Sequence, residues 1–328
     1  MAYFDLPLSN GGLLSATIDS PTTFVRPQTM RATPPKLFVN DTSTLPLSLR
    51  FPPTDYKELD VSLDPNTATL WCHMRPNGPP SFTPSMLGEL IGLRRAVQTC
   101  FDAPGDKPEM RYFVGASRIP GIYNLGGDLN YFAETIRLRD RERLRRYAID
   151  CCDVSYHMAV AFDVPVVTIG LVQGDALGGG FEGAMSFQVL VAEKSARMGL
   201  PEVLFNLFPG MGAYSLLARR VGAAQAERII FSGKIYTATE LYEMGVVDIL
   251  AEDGCGEAEV QKYVSASAGK HRMQLAMTRV ARRYNPLTFD ELRDITEIWV
   301  DTAMALDESD LRRMERLASA QKRRLARA

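Results

Sequence analysis

The chain has 328 residues, of which 46% are hydrophobic, 9% are aromatic and 23% are charged. These proportions are typical of a globular protein and exclude a disordered chain, a collagen-like repeat and a small disulfide scaffold. Lysine and arginine number 37 against 39 acidic residues, a formal net charge of −2, so no overall positive charge attracts nucleic acid and we expect no nucleic-acid partner. Any anionic partner must therefore be bound by a local basic surface.

Cysteine usage and the N-terminal sequence predict a cytoplasmic protein. The five cysteines are odd in number and show no CxxC spacing, which favours reduced thiols over a disulfide framework. The N-terminus has neither the basic segment nor the apolar segment of a signal peptide. The most apolar stretch, residues 164–172, is far shorter than the roughly 20 residues that a membrane helix needs, so we expect no membrane insertion.

Hydrophobic periodicity predicts the elements in chain order after a proline- and threonine-rich start. Apolar alternation or a continuous apolar run predicts strands at 59–63, 70–74, 110–116, 164–172, 189–192, 197–199 and 246–250. Amphipathic patterns predict helices at 84–97, 129–162, 181–186, 213–221, 223–231, 238–244, 265–284 and 289–327. Thr83 before Pro84 is a typical start for the first of these helices.

The alternation of strands and helices favours an α/β fold. We predict three regions: an irregular N-terminal extension (1–54), an α/β core (55–264) and a helical C-terminal region (265–328). The last region is expected to serve oligomerisation or to cover the active site.

Two glycine-rich turns each follow a strand-like segment and precede a helix. They contain Gly126-Gly127-Asp128 and Gly178-Gly179-Gly180. Such turns present free backbone N–H groups, which stabilise a developing oxyanion, and the missing side chains let a carbonyl approach closely. Gly178, Gly180 and Gly183 also fit GxGxxG, which predicts a dinucleotide-binding module as an alternative. A long stretch of the body precedes this motif, and that position disfavours the alternative.

Two glutamates lie close to these turns in the sequence. Glu182 falls in the first turn of the helix that follows the second glycine turn, and Glu202 comes 20 residues later after a proline. Both are flanked by apolar residues, which raise the pKa of a carboxyl group and suit it to acid/base catalysis. The apolar residues after Glu202 are predicted to line a substrate pocket, and they are Val203, Leu204, Phe205, Leu207, Phe208 and Met211.

Other reactive residues carry weaker patterns. Asp153 and His157 are four residues apart on a predicted helix, but two ligands are too few for a metal site, and we predict none. Cys151 and Cys152 have no neighbouring base that would lower a thiol pKa, so we do not predict a catalytic cysteine.

The strings NLGGDL, LGGGFEGAM and MGLPEVLFNLFPGMGAYSLLARRVG resemble the crotonase (enoyl-CoA hydratase/isomerase) superfamily over about residues 56–269. The resemblance implies a crotonase-like fold, in which repeated ββα units form a spiral core followed by C-terminal helices. It also implies that Glu182 and Glu202 are catalytic and that Gly127 and Gly179 form the oxyanion hole. No cofactor is implied, since the substrate is an acyl thioester, and the expected assembly is a homotrimer or hexamer.

Within that superfamily, YNLGGDL and VQGDALGGGFE resemble the diffusible-signal-factor synthases. This resemblance implies dehydration of a 3-hydroxyacyl thioester on acyl-carrier protein and hydrolysis to a cis-2-unsaturated fatty acid, a quorum-sensing signal. It further implies a sensor kinase as a partner. The alternative is an ordinary enoyl-CoA hydratase or isomerase of fatty-acid metabolism. After Arg75-Pro76 the chain lacks the asparagine-alanine-leucine run that contacts CoA in common hydratases, so the resemblance does not extend to that contact.

Two basic segments offer a surface for an acidic carrier protein. They are RLRDRERLRR at 137–146 and the C-terminal run at 312–327. Acidic carriers are attracted by such surfaces, with Arg143, Arg145 and Arg146 as the proposed contacts. The competing interpretation is a solvated helix face with internal ion pairs.

Overall fold

A computed structural model describes residues 56–103 and 109–325, so the predicted extension at 1–54 lies outside the described residues. The described strands are β1 (Leu59–Asp64), β2 (Thr69–Met74), β3 (Tyr112–Ser117), β4 (Gly121–Asn124), β5 (Val167–Val172), β6 (Gly174–Leu177), β7 (Val189–Glu193), β8 (Arg197–Gly199), β9 (Ile235–Thr237) and β10 (Ile249–Ala251). The described α-helices are α1 (Pro84–Asp102), α2 (Leu129–Arg137), α3 (Arg141–Ala159), α4 (Gly179–Met185), α5 (Ala213–Val221), α6 (Ala223–Ser232), α7 (Ala238–Glu243), α8 (Gly256–Ser267), α9 (His271–Tyr284), α10 (Phe289–Met304) and α11 (Glu308–Leu325).

The strands form two sheets. The larger sheet has the order β1-β2-β3-β5-β7-β10 and is parallel except between β1 and β2, whereas the smaller has the order β4-β6-β8-β9. The chain passes from the larger to the smaller sheet three times, through β3-β4, β5-β6 and β7-β8, and helices follow. This repetition is the predicted spiral of ββα units, and the α/β prediction is confirmed.

The core lies on both faces of the larger sheet. Strands β2 and β5 are buried along their whole length, which agrees with their continuous apolar sequence. Gly115 and Gly170 lie on neighbouring strands, and a Cβ atom at either position would collide with the ring of Phe187. These glycines therefore let an aromatic side chain pack directly against the sheet.

Helix α1 begins as predicted, because the Thr83 hydroxyl accepts a hydrogen bond of 3.1 Å from the Met86 N–H. The single helix predicted at 129–162 is wrong. The chain breaks between α2 and α3, where Arg139 has a positive φ of 55° and the Asp140 carboxylate caps α3. A second positive-φ segment, Ala161–Asp163, ends this region before β5.

The C-terminal helices also differ from the prediction. The helix predicted at 265–284 is divided between α8, which starts at Gly256 and contains the predicted region boundary at 264, and α9, with the 3₁₀ turn Ala268–Lys270 between them. The helix predicted at 289–327 is two helices, because the Asp307 carboxylate accepts hydrogen bonds from the Ser309 and Asp310 N–H groups and starts α11. Within the described ranges, no helix combines the length and apolar character needed to cross a bilayer.

Short strands account for the remaining differences. Strands β4, β6 and β9 were not predicted, and the predicted strand at 246–250 occupies Ile249–Ala251 instead. Three- and four-residue strands have too little sequence for a period to show, and pairing with distant segments defines them.

Candidate active site

A cavity of about 390 Å³ lies beside the two glycine turns. Its wall includes residues from the ends of β4 and β6, from the segment Pro201–Phe205 and from five helices, α2, α3, α4, α10 and α11. The carboxyl ends of these strands carry the turns, so two loops that are distant in sequence meet at one point. Most of the wall is apolar, and Gly127, Gly179, Glu182 and Glu202 all line it.

The two glycine turns pack backbone against backbone. A Cβ atom on Gly126 would lie 2.9 Å from the Gly179 nitrogen, and one on Gly179 would lie 3.3 Å from the Gly127 nitrogen. Gly126 and Gly178 have positive φ angles of 94° and 55°, conformations that favour glycine. Neither the Gly127 N–H nor the Gly179 N–H finds a hydrogen-bond acceptor in the part of the chain that the structure describes. Two adjacent amide donors are therefore available at the cavity wall.

Glu182 is fixed by the backbone of the loop before α5. It is only 1% exposed, and its Oε1 accepts hydrogen bonds of 2.7 Å from the Met211 N–H and 2.9 Å from the Ala213 N–H. Burial raises the pKa of this carboxyl group to about 7, although the two donors partly offset the effect. Glu182 thus lies near the balance between its two protonation states at neutral pH.

Glu202 has a less polar environment. It lies in the 3₁₀ segment Pro201–Phe205, and its Oε2 is buried without a hydrogen-bond partner among the described residues. Its Oε1 faces Gly178, because a Cβ atom on that glycine would lie 2.5 Å from it. Desolvation raises the pKa of Glu202 well above its usual range, and the neighbouring Glu182 charge raises it further. A pair of this kind holds one proton around neutral pH.

The predicted pocket residues divide into two sets. Leu204, Phe205, Leu207 and Met211 line the cavity, whereas Val203 and Phe208 are not among its lining residues. A Cβ atom on Gly233 would lie 2.8 Å from Val203, so the valine side chain packs against that turn instead.

Sequence reasoning missed one wall of the cavity. The missed side chains come from helices far from the glutamates in sequence, and they are Phe132, Tyr147, Ala148, Cys151, Trp299 and Leu317. The four-residue spacing of Tyr147 and Cys151 predicts that they share one face of a helix. The spacing does not predict which part of the molecule that face contacts.

The other candidate reactive side chains form ion pairs or are buried thiols. Asp153 forms an ion pair of 3.0 Å with Arg94 as well as its 3.6 Å contact with His157. Burial raises the pKa of the thiols of Cys151 and Cys152, which disfavours thiolate formation. No group of three or more metal-ligating side chains occurs in the ranges 56–103 and 109–325.

Most arginines of the predicted basic surface at 137–146 form ion pairs with acidic residues of the same chain. Arg143 binds Glu134 at 3.1 Å, and Arg145 binds Glu297 of α10 at 2.5 Å. Arg137 and Arg141 bind acidic residues of α10 and α11 in the same way. The structure therefore favours the competing interpretation of an ion-paired helix face, with Arg146 left exposed.

Comparison with known proteins shows the family of the chain. The enoyl-CoA hydratase/isomerase family matches residues 97–294, which is more than half of the chain, so the chain belongs to that family. Methylglutaconyl-CoA hydratase of Rattus norvegicus is 29% identical over 222 residues, covering 66% of this chain and 65% of the relative. The chain spans 60–65% of the length of the rat, mouse and human forms of that relative.

Solved structures show the same fold. Enoyl-CoA hydratase from Bacillus halodurans superposes with a TM-score of 0.66 at 18% identity, over 79% of this chain and 99% of that chain. Human mitochondrial delta3-delta2-enoyl-CoA isomerase gives a TM-score of 0.67 at 14% identity, over 82% of this chain and 99% of that chain. The crotonase-like fold is thereby confirmed.

Proposed function

We propose that the chain hydrates or dehydrates an acyl thioester in the cavity beside the glycine turns. One observation carries this proposal: the buried Glu182 carboxyl group, the Glu202 carboxyl group with its buried Oε2 and two backbone N–H groups that have no acceptor among the described residues line the same apolar cavity. The amides suit a thioester oxygen that gains charge as an enolate forms, and each such donor lowers the barrier by on the order of 3 kcal/mol. The apolar wall suits an acyl chain.

The glutamate pair supplies the proton transfers. In hydration, the ionised Glu182 accepts a proton from water while neutral Glu202 donates its proton to the α-carbon, because their environments favour those states. The water oxygen bonds to the β-carbon, and the C=C bond becomes a C–C bond. Dehydration is the reverse and starts with the single proton of the pair on Glu182.

The finer proposal is synthesis of a cis-2-unsaturated fatty acid from a 3-hydroxyacyl thioester on acyl-carrier protein. Its support is the resemblance of YNLGGDL and VQGDALGGGFE to diffusible-signal-factor synthases. After dehydration, the same pair would activate a second water, which attacks the thioester carbonyl and releases the thiol and the free acid. The second candidate is an ordinary enoyl-CoA hydratase, which the names of the matched relatives favour.

Product analysis separates these functions. The full chain is incubated with 3-hydroxyacyl-CoA and with 3-hydroxyacyl-carrier protein, and thioesters and free acids are measured by mass spectrometry. A free cis-2-enoic acid supports the synthase, whereas a 2-enoyl thioester without free acid supports the hydratase. If neither product forms from either carrier, the proposal is overturned.

Self-association into a trimer or hexamer is part of the proposal. Helix α9 exposes an apolar stripe at Met273, Met277, Val280 and Tyr284, with exposed fractions from 53% to 89%. Contiguous exposed apolar surfaces commonly mark protein interfaces. Sedimentation analysis of the wild-type chain and of Met277→Glu tests it, and a monomeric wild type would contradict it.

A further inference from the structure

The hydroxyl group of Tyr147 lies between two backbone segments at the Gly127 turn. Phe82 and Gly127 form a parallel bridge, in which the Phe82 N–H donates a 2.8 Å hydrogen bond to the Gly126 carbonyl oxygen. On the other side of Gly127, the Asp128 N–H donates a 3.2 Å hydrogen bond to the Tyr147 hydroxyl. That hydroxyl in turn donates to the Phe82 carbonyl oxygen. The peptide groups on both sides of Gly127 are therefore held to the same residue, Phe82.

The position of Tyr147 is itself well determined. It lies on α3, is 4% exposed, and its ring packs edge to face against Phe132 at a centroid distance of 5.1 Å. The Phe132 ring occupies the space beside Gly127, since a Cβ atom on that glycine would lie 2.6 Å from it. Burial raises the pKa of Tyr147 well above its usual value, so the phenol stays neutral and keeps the proton that it donates to Phe82.

We propose that Tyr147 is a positioning residue, whose hydroxyl fixes the direction of the Gly127 N–H toward the thioester oxygen. This inference rests on the proposed function, because it assigns the Gly127 amide to the oxyanion hole. The Gly179 amide belongs to the start of α4, so the helix holds it in place. The Gly127 N–H belongs to the Gly126–Gly127 peptide plane of a turn, and the carbonyl oxygen of that plane accepts a hydrogen bond from the Phe82 N–H. The phenol holds both the Phe82 carbonyl oxygen and the following peptide plane, so it fixes the backbone on either side of the plane that carries the donor.

The direction of a donor affects the transition state more than it affects binding. A donor that is turned away from the oxyanion loses most of its stabilisation, because hydrogen bonds weaken steeply with angle. Apolar contacts of the acyl chain do not change when the donor turns. Loss of the hydroxyl should therefore lower kcat and leave KM nearly unchanged.

Tyr147→Phe tests the proposal, with Tyr112→Phe as the matched control. Tyr112 is also fully buried, but its hydroxyl has no hydrogen-bond partner among the described residues and it does not line the cavity. We expect Tyr147→Phe to lower kcat by about tenfold to a hundredfold, with KM within about twofold of wild type. The control should match wild type in both constants.

A bound cinnamoyl thioester gives a second readout, because its absorption moves to longer wavelength when the carbonyl group is polarised. We expect wild type and Tyr112→Phe to show this shift and Tyr147→Phe to lose most of it. Tyr147→Met also lacks the hydroxyl and fills the space with an adaptable side chain, so it serves if the phenylalanine variant does not fold.

The outcomes separate two failures. If the Tyr147 variants keep both kcat and the shift, the positioning role is overturned while the proposed function stands. If wild type binds the thioester with neither a shift nor turnover, the proposed function and the positioning role both fail.

Discussion

The two glutamates of the cavity face different surroundings: Glu182 is fully buried, whereas Glu202 is partly buried and has only its Oε2 shown to be shielded from solvent. Glu182 is held by two backbone N–H donors from the loop before α5, whereas the Oε2 of Glu202 has no partner among the described residues. Donors stabilise the ionised form, and desolvation stabilises the neutral form. The contrast assigns the negative charge to Glu182 and the proton to Glu202, a division of roles that residue type alone does not give.

The same contrast is visible in how the chain builds the two positions. Glu182 sits on α4, where the helix and the Met211–Ala213 backbone fix it from two sides. Glu202 sits in a short 3₁₀ segment and packs against Gly178. One carboxyl group is thus positioned by hydrogen bonds, and the other mainly by the space that a glycine leaves open.

Replacing either carboxyl group should have the largest effect. Glu182→Gln and Glu202→Gln each remove one of the proposed proton-transfer groups but keep the side-chain shape, so kcat should fall by about 10²- to 10⁴-fold. Steady-state hydration of an enoyl thioester measures it. Glu193→Gln is the matched control, because Glu193 is a buried glutamate that accepts a hydrogen bond from Gly256 outside the cavity.

The glutamine variants also separate the two roles. A variant that keeps wild-type turnover removes that glutamate from the reaction. If Glu193→Gln loses as much activity as the other two, the losses reflect general damage to the core and carry no information about the pair.

A methyl group on Gly178 should disturb Glu202 and spare Glu182. The added Cβ atom would lie 2.5 Å from the Glu202 Oε1, so this carboxyl group must move. A displacement of that kind lowers turnover by about a hundredfold. Gly222→Ala is the control, since Gly222 also has a positive φ, 81°, but a Cβ atom there meets nothing within 4 Å. Equal losses in the two variants would indicate backbone strain as the cause.

The sequence predicts the glutamate pair because the residues that mark each glutamate lie next to it in the chain. Glu182 follows a glycine turn at a helix start, and Glu202 follows a proline before an apolar run, so the motifs alone single them out. The opposite wall was not predictable, because Tyr147 and Trp299 reach the cavity only through the packing of α3 against α10. The hydrogen bonds that distinguish the two carboxyl groups are also tertiary, since Met211 and Ala213 lie about 30 residues from Glu182.

The fold shows the same limit. Long apolar strands such as β5 and the capped start of α1 follow from nearby residues. The break between α2 and α3 depends on one capping aspartate and one positive φ inside a sequence that is otherwise continuous in its helical pattern. A pattern of apolar spacing does not detect such a break.

The pH profile of hydration tests the assignment of charge. Glu182 must be ionised, and its pKa is raised to about 7, so kcat/KM should rise about tenfold per pH unit from pH 5 toward 7 and then level off. The rate should fall again at higher pH as Glu202, whose pKa is raised further, loses its proton. A flat profile from pH 5 to 8 would contradict a base of this pKa.

The smallest expected effect is on the free energy of unfolding. Its pH dependence reports the protonation of the glutamate pair in the absence of substrate. Well below pH 4.5, the ordinary pKa of a glutamate, both carboxyl groups are protonated in the folded and the unfolded chain. As the pH rises, the unfolded chain ionises first, because burial raises both folded pKa values, and the free energy of unfolding of wild type decreases. A glutamine cannot ionise, so each glutamine variant lacks the part of this decrease in the free energy of unfolding that the replaced glutamate causes.

The difference in Tm between Glu182→Gln and wild type should therefore grow from near zero at pH 4.5 and stop growing near pH 7. The difference for Glu202→Gln should continue to grow above pH 7, because the folded pKa of Glu202 is raised further. Thermal unfolding between pH 4.5 and 8.5 measures both curves, with shifts of several degrees expected for a free-energy change on the order of 3 kcal/mol. If the curve for Glu182→Gln outgrows the curve for Glu202→Gln, the proton of the resting pair belongs on Glu182, and the direction of proton transfer assigned to hydration is reversed.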